Sequence, residues 1–199
     1  MKDIKIIAQA ALFFGLMTLL TGVLYPLLIT CASRLLFYEK SLGSLVREAD
    51  DKNIIGSALI AQNFIDLQYF WPRPSAGHFN ACPSQASNLG PTSKKLKDLI
   101  SARRQSLSEA HNTKPMSVPE SLLTSSGSGL DPHISLSALD FQRARVIKAR
   151  ALDHAQEKEL QKLINKNLEQ PWLGAQREPH INVLLLNLAL DQSFGKIGP

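Results

Sequence analysis

Cysteine is nearly absent, with only Cys31 and Cys82 in 199 residues. Cys31 falls in or at the end of a long apolar run. The rest of the chain therefore holds one thiol, cannot close an internal disulfide, and leaves the redox compartment undecided. A basic block with interleaved aromatics is also missing. The formal net charge is +5, but the charges are mixed along the chain, and Lys94-Lys95 and Arg103-Arg104 sit in an amphipathic helical pattern, which argues against nucleic-acid binding. There is no H-E-x-x-H and no paired-cysteine spacing, and the five histidines, His78, His111, His133, His154 and His180, are scattered. No metal site is expected on that pattern. A G-x-S-x-G elbow, a P-loop and a dinucleotide fingerprint are absent too, so no catalytic residue is assigned.

Charge is missing altogether from Ile6 to Ser33, a run of 28 residues. That exceeds the roughly 20 needed to cross the hydrocarbon core as a helix, and it is longer than the apolar region of a cleaved signal peptide, about 7 to 15 residues. An uncleaved anchor is the better reading. A lipoprotein site at Cys31 is disfavoured because Thr30 stands where a small Gly or Ala is needed. Gly15, Thr18 and Gly22 recur at spacings of three and four, a stripe of small side chains along which another membrane helix can approach closely. Such residues are also common in membrane helices generally. Pro26 removes a backbone donor and should kink or loosen the helix. Lys2 and Lys5 flank one end and Arg34, Lys40 and Arg47 the other, so charge does not settle the orientation.

The rest reads as α+β: a transmembrane anchor with its flank over 1–36, a linker over 37–53, a single mixed α/β soluble domain over 54–191, and a tail over 192–199. Ile54 to Ile60 is a strand pattern with Gly56 marking a bulge or close approach. Asp66 to Pro91 is long, rich in Pro and Gly, and packed at least around Tyr69-Phe70-Trp71. Ser93 caps a helix to about Gln105 that turns Leu96, Leu99 and Ile100 inward. Ser106 to Val118 reads as a polar linker, and Pro119 opens a short helical turn. After a tight turn at Ser125 to Pro132, a helix capped by Asp131 or Ser135 runs to about Ala151. Asp153 with Gln156 forms a capping box for the next helix, whose buried stripe is Leu160, Leu163, Ile164 and Leu168. Ile181 to Leu190 is almost continuously apolar, as for a strand covered on both faces, and a buried Asn187 there needs partners.

Two features invite a chemical reading. Ser126-Gly127-Ser128-Gly129 precedes a helix and offers backbone N–H groups to an anion, but without P-loop spacing a structural turn is the better account. Ser128, Asp131 and His133 have the residue types of a hydrolase triad, yet they lie on one turn, whereas triad side chains converge from separate elements.

The chain resembles the C subunit of the Kdp potassium-transporting P-type ATPase. The resemblance runs nearly end to end: Leu20-Thr21-Gly22 and Tyr25-Pro26-Leu27-Leu28 in the anchor, then Gly56-Ser57-Ala58-Leu59-Ile60, Gln62-Asn63-Phe64, Tyr69-Phe70, Arg73-Pro74-Ser75-Ala76 and Ser87-Asn88-Leu89-Gly90-Pro91. It continues through Ser126-Gly127-Ser128-Gly129-Leu130-Asp131-Pro132-His133-Ile134 to Arg145-Val146, Lys148-Ala149-Arg150 and Asn182-Val183-Leu184 with Leu186-Asn187-Leu188-Ala189-Leu190-Asp191. Ala61 and Pro72 stand where that family often has glycine. The resemblance implies a non-catalytic subunit of a bacterial inner-membrane potassium importer. Its partners would be a channel-like potassium-translocating subunit, an ATP-hydrolysing P-type subunit and a small accessory peptide. It implies a soluble domain outside the cytoplasm, no cofactor of the chain's own, and ATP at the level of the complex, where the subunit acts as a catalytic chaperone raising ATP affinity. Were nucleotide bound directly, Gln142 and Arg145 would be candidate contacts. The plainer reading is solvated or interface polar residues on a helix. Ser128, Gly129 and Asp131 belong to the family's turn motif.

Overall fold

A computed structural model describes residues 2–48, 53–170 and 178–196. Residues 49–52 of the expected linker and 197–199 of the expected tail lie outside the described residues. The chain forms two compact units, Met1–Ile54 and Ile55–Pro199.

The first unit is dominated by a helical run, Asp3–Leu36, long and apolar enough to cross a membrane. It comprises α1 (Lys2–Leu19), a π turn (Leu20–Leu24) and α2 (Tyr25–Leu36). Pro26 has no N–H to donate one turn back, so the ordinary ladder fails there. The helix responds by widening rather than breaking: the Tyr25 N–H donates to the Leu20 carbonyl, an i→i−5 bond. Hydroxyls along the run are satisfied by the helix's own carbonyls, Thr18 on Phe14 at 2.8 Å, Thr21 on Met17 at 2.7 Å and Thr30 on Pro26 at 2.7 Å. A surface facing lipid would require this, because no water would be there to accept them. Gly15 and Thr18 lie on α1 and Gly22 lies inside the π turn, so the small-residue stripe changes pitch where it reaches Gly22. In the expected linker the chain adds a helical turn, α3 (Tyr38–Ser41), and β1 (Leu45–Arg47).

The second unit is the mixed helix and strand domain. After β2 (Ile54–Ser57) come α4 (Lys94–His111), β3 (His133–Ser135), α5 (Leu136–Ala149), α6 (His154–Asn167), β4 (Leu168–Glu169), β5 (His180–Asn182) and α7 (Val183–Phe194). The strand expected to reach Ile60 stops at Ser57. A close approach does occur at Gly56, where a Cβ would lie 2.0 Å from Gln62 Nε2; that amide donates to the Ile55 carbonyl at 2.7 Å. Three helices start at caps legible in the sequence: Ser93 receives the Leu96 N–H, Ser135 the Ala138 N–H, and Asp153 with Gln156 closes a full capping box.

Helix α4 continues past Gln105 to His111, ending at Asn112 in the left-handed region (φ 50°). The stretch expected as a polar linker therefore supplies half-buried Leu107 and buried Ser108, and Val118 at its end is 4% exposed. Leu96, Leu99 and Ile100 are only half buried. Pro119 caps a 3-10 turn, Glu120–Leu122, that delivers Leu122 to the core.

The largest departure lies at the C-terminal end. Ile181 to Leu190 is not one strand: pairing ends at Asn182, whose side chain accepts the Leu185 N–H and starts α7. A short, continuously apolar run fits a buried strand and a buried helix equally well. Here Val183, Leu186 and Leu190 recur at helical spacing and are all buried. Leu168, expected on the α6 stripe, instead opens β4. The sheet is antiparallel, in the order β3-β5-β4. Ile134 pairs with Ile181 and Leu168 with Ile181, giving one apolar face toward Leu139, Leu160, Ile164, Leu186 and Phe70. Strand alternation then turns His133, His180 and Glu169 to the other face.

Candidate functional site

Two polar constellations stand out. The first is buried. The segment Leu67 to Trp71 belongs to no helix or strand, yet Phe70 is fully buried, so its backbone needs partners from elsewhere. Side chains of α5 and α7, with Arg150 just after α5, provide them. Arg145 donates to the Leu67 carbonyl and, at 2.9 Å, to that of Tyr69. Arg150 donates to Gln68 at 2.9 Å. Asn187 accepts from the Phe70 N–H and donates to the Phe70 carbonyl, each at 2.9 Å. Gln142 does the same for Trp71, at 2.7 and 3.1 Å. Five successive carbonyls thus accept from four side chains, with the two amides acting as a substitute strand edge.

The cations in this ladder are themselves held. Arg150, whose side chain is fully buried, pairs with Asp191 at 2.6 Å; Tyr69 donates its hydroxyl to the other Asp191 oxygen at 2.8 Å. Burial and the bond to Asp191 push the Tyr69 phenol up to about 12, against the lowering effect of Arg150. Arg145 lies over the Trp71 ring at 4.1 Å, donates its Nε–H to His111 Nε2 at 3.0 Å and reaches Gln142 Oε1 at 2.9 Å. Gln142 and Arg145 are therefore buried within the chain itself.

His111 accepts from Arg145 through Nε2, so its proton sits on Nδ1, facing the Leu107 carbonyl at 2.8 Å. Burial against Trp71 and Phe141 lowers its pKa to about 4, helped by the Arg145 charge and opposed by the Leu107 carbonyl. A histidine kept neutral in the fold stabilises fully above its unfolded pKa of about 6.5, and the contribution is lost as pH falls toward about 4, because the unfolded chain takes up the proton first. Thermal melts of the full chain in detergent should show stability falling across that window. His111→Gln should flatten the fall, and an unchanged pH profile in the variant would remove His111 as its source.

The second constellation surrounds the family turn. Gly129 adopts φ +68°, and a Cβ there would come within 2.7 Å of the Gln85 carbonyl, so only glycine fits. Ser128 Oγ accepts the Leu130 N–H at 3.1 Å and Ser126 Oγ the Asp131 N–H at 3.4 Å, local bonds that build the turn. Asp131 does not cap α5. Its Oδ1 accepts from the His133 backbone at 3.0 Å and faces His133 Nδ1 at 3.3 Å, while its Oδ2 pairs with Arg73 at 3.1 Å. Burial would raise the Asp131 pKa, but the His133 hydrogen bonds and the Arg73 charge override it and lower it to about 2. The Asp131 bond and the Glu169 charge raise the His133 pKa against burial. Asp131 and His133 open onto a cleft of about 310 Å³ with Arg73, Ser135, Glu178 and His180. The structure thus joins Asp131 to His133 and Gln142 to Arg145. Arg150, Asn187, His180 and Glu169 went unremarked as site residues; their partners are distant in sequence, and no local spacing marks them.

A family model described as K+-transporting ATPase, c chain, matches residues 7–192. A protein from Polaromonas naphthalenivorans named potassium-transporting ATPase KdpC subunit is 44% identical over 190 residues, covering 94% of each chain. One of the same name from Rhodospirillum rubrum is 46% identical over 196 residues, covering 96% of this chain and 97% of its own. Another from Serratia proteamaculans is 46% identical over 179 residues, covering 88% and 92%.

Proposed function

The chain belongs to the KdpC family, the c chain of K+-transporting ATPases, and we propose that it is an accessory, non-catalytic subunit that assembles and stabilises a bacterial potassium-import complex. The observation that carries this reading is the extent of the match, residues 7–192, which takes in the apolar helix as well as the domain. On this reading the helix spans the inner membrane once and packs by Gly15, Thr18 and Gly22 against the channel-like subunit. Among the described residues a Cβ at Gly15 or Gly22 would meet nothing within 4 Å, which leaves both positions open to a neighbouring helix. The domain lies outside the cytoplasm, and the P-type subunit and a small accessory peptide complete the assembly.

The subunit also raises the ATP affinity of the hydrolysing subunit, acting through the assembly. On this reading Gln142 and Arg145 fix the Leu67–Trp71 segment and do not meet nucleotide. A second reading, direct contact with nucleotide, draws on one observation: Arg145, Lys148 and His111 line a cleft of about 420 Å³, where two cations could face a phosphate.

The side of the membrane decides between them. Cys82 is exposed. In a Cys31→Ser background an impermeant thiol reagent should label it in intact cells, with denatured cells as the control for reactivity. Protection in intact cells that disappears in inside-out vesicles would put the domain beside cytoplasmic ATP and favour direct contact.

A further inference from the structure

The geometry points to a Zn2+-binding site formed by His133, Glu169 and His180 on the polar face of the three-stranded sheet. No ligand spacing announces it, because β3, β4 and β5 bring the residues together from distant parts of the chain. Glu169 pairs directly with His180 across β4 and β5. His133 pairs with Asn182, two residues beyond His180, so both imidazoles project from the same face. Their rings meet edge to face at 4.9 Å, and one ligand atom from each residue lies within 4.8 Å of the others.

Both rings are oriented from behind. His133 Nδ1 faces Asp131 Oδ1 at 3.3 Å and His180 Nδ1 faces the Glu178 carbonyl at 3.4 Å. Holding Nδ1–H in this way leaves Nε2 as the lone-pair donor, the arrangement that metal-ligating histidines use. Each Nε2 then points at the Glu169 carboxylate, His133 at 3.5 Å from Oε1 and His180 at 3.6 Å from Oε2. With the imidazoles protonated these contacts are ion pairs, long for hydrogen bonds. They run to different oxygens of the carboxylate, and the set with one ligand atom per residue spans up to 4.8 Å, so small side-chain rotations would draw it in to the roughly 3.3–3.6 Å edges of a tetrahedral zinc site, whose ligand atoms each stand about 2.0–2.2 Å from the ion. Two imidazoles and a carboxylate suit Zn2+, with water from the adjoining cleft as the fourth ligand. The ion would clip β3, β4 and β5 at their polar face and tie together both ends of the connection from Glu169 to His180.

Full-length protein in detergent, purified without a histidine tag and stripped with chelator, should bind ZnCl2 saturably at one site per chain by calorimetry, and zinc should raise its melting temperature. Co2+ in place of zinc should give the strong visible absorption of a four-coordinate ion. Glu169→Gln and His180→Gln should each weaken binding at least roughly tenfold while leaving the far-ultraviolet circular dichroism unchanged. Absence of saturable binding would overturn the proposal. So would binding that persists undiminished in the Glu169→Gln/His180→Gln double variant, which would place the ion on other histidines or on Cys82.

Discussion

Replacing Asp191 with alanine should lower the unfolding free energy of the domain by about 3–5 kcal/mol, the cost of leaving a buried charge without its partner. The Arg150 side chain is fully buried, and Asp191 is its carboxylate, 2.6 Å away. The remaining Arg150 bonds go to neutral carbonyls of Gln68 and Gly195, which satisfy its donors without balancing its charge. Tyr69 loses its acceptor in the same variant. Denaturant unfolding of the detergent-solubilised chain measures the loss, and titration of tyrosine absorbance should show the Tyr69 phenol falling from about 12. Asp191→Asn keeps an acceptor for the phenol but removes the charge, so it should fall between the alanine variant and the native chain. A loss below about 1 kcal/mol for alanine would put the pair in the class of solvent-screened surface bridges.

Gln142→Leu should cost about 2–4 kcal/mol, because the half-buried N–H and carbonyl of Trp71 each lose their partner, toward the lower end of the roughly 1–3 that a fully buried unpaired group costs. The leucine keeps most of the volume but offers nothing to the N–H and carbonyl of Trp71, and Arg145 loses one of its acceptors. This also separates the two accounts of Gln142. As part of the interior ladder it affects stability first, and ATP affinity only through the assembly. As a nucleotide contact it would leave stability near native and lower ATP affinity at the isolated chain. A Gln142→Leu chain that unfolds at the native denaturant midpoint would contradict the ladder.

The signals most legible in the sequence are short-range. The apolar span, the caps at Ser93, Ser135 and Asp153, and the Leu160 and Ile164 stripe all depend on residues within one or two turns. Pro26 marked a weakness in the anchor, though not that it takes the form of a π turn. What stayed hidden was long-range. The carbonyls of Leu67 to Trp71 find partners 71 to 117 positions away, so composition reveals a packed loop but not what packs it. Asn187 was legible as a buried amide in need of partners, and their identity was not. Helix α7 escaped because its half-buried residues Leu185, Leu188 and Ala189 are apolar like its buried ones, which removes the polar face that betrays a helical period; Asn182, an ordinary N-cap, was the available clue. Strands of two or three residues are too short to display alternation, so the shared face of His133, Glu169 and His180 becomes visible only once β3, β5 and β4 are in register.

The central claim is that this chain holds a potassium-transporting ATPase together rather than performing its chemistry. Its most direct test is to purify the complex through a tag on the ATP-hydrolysing subunit, from cells that make this chain and from cells that lack it, and to follow subunit composition and ATP dependence of hydrolysis. The expected result without the chain is loss of the channel-like subunit from the preparation and a weaker apparent affinity for ATP, both restored when the chain is supplied. A complex of unchanged composition and unchanged ATP affinity in its absence would contradict the account.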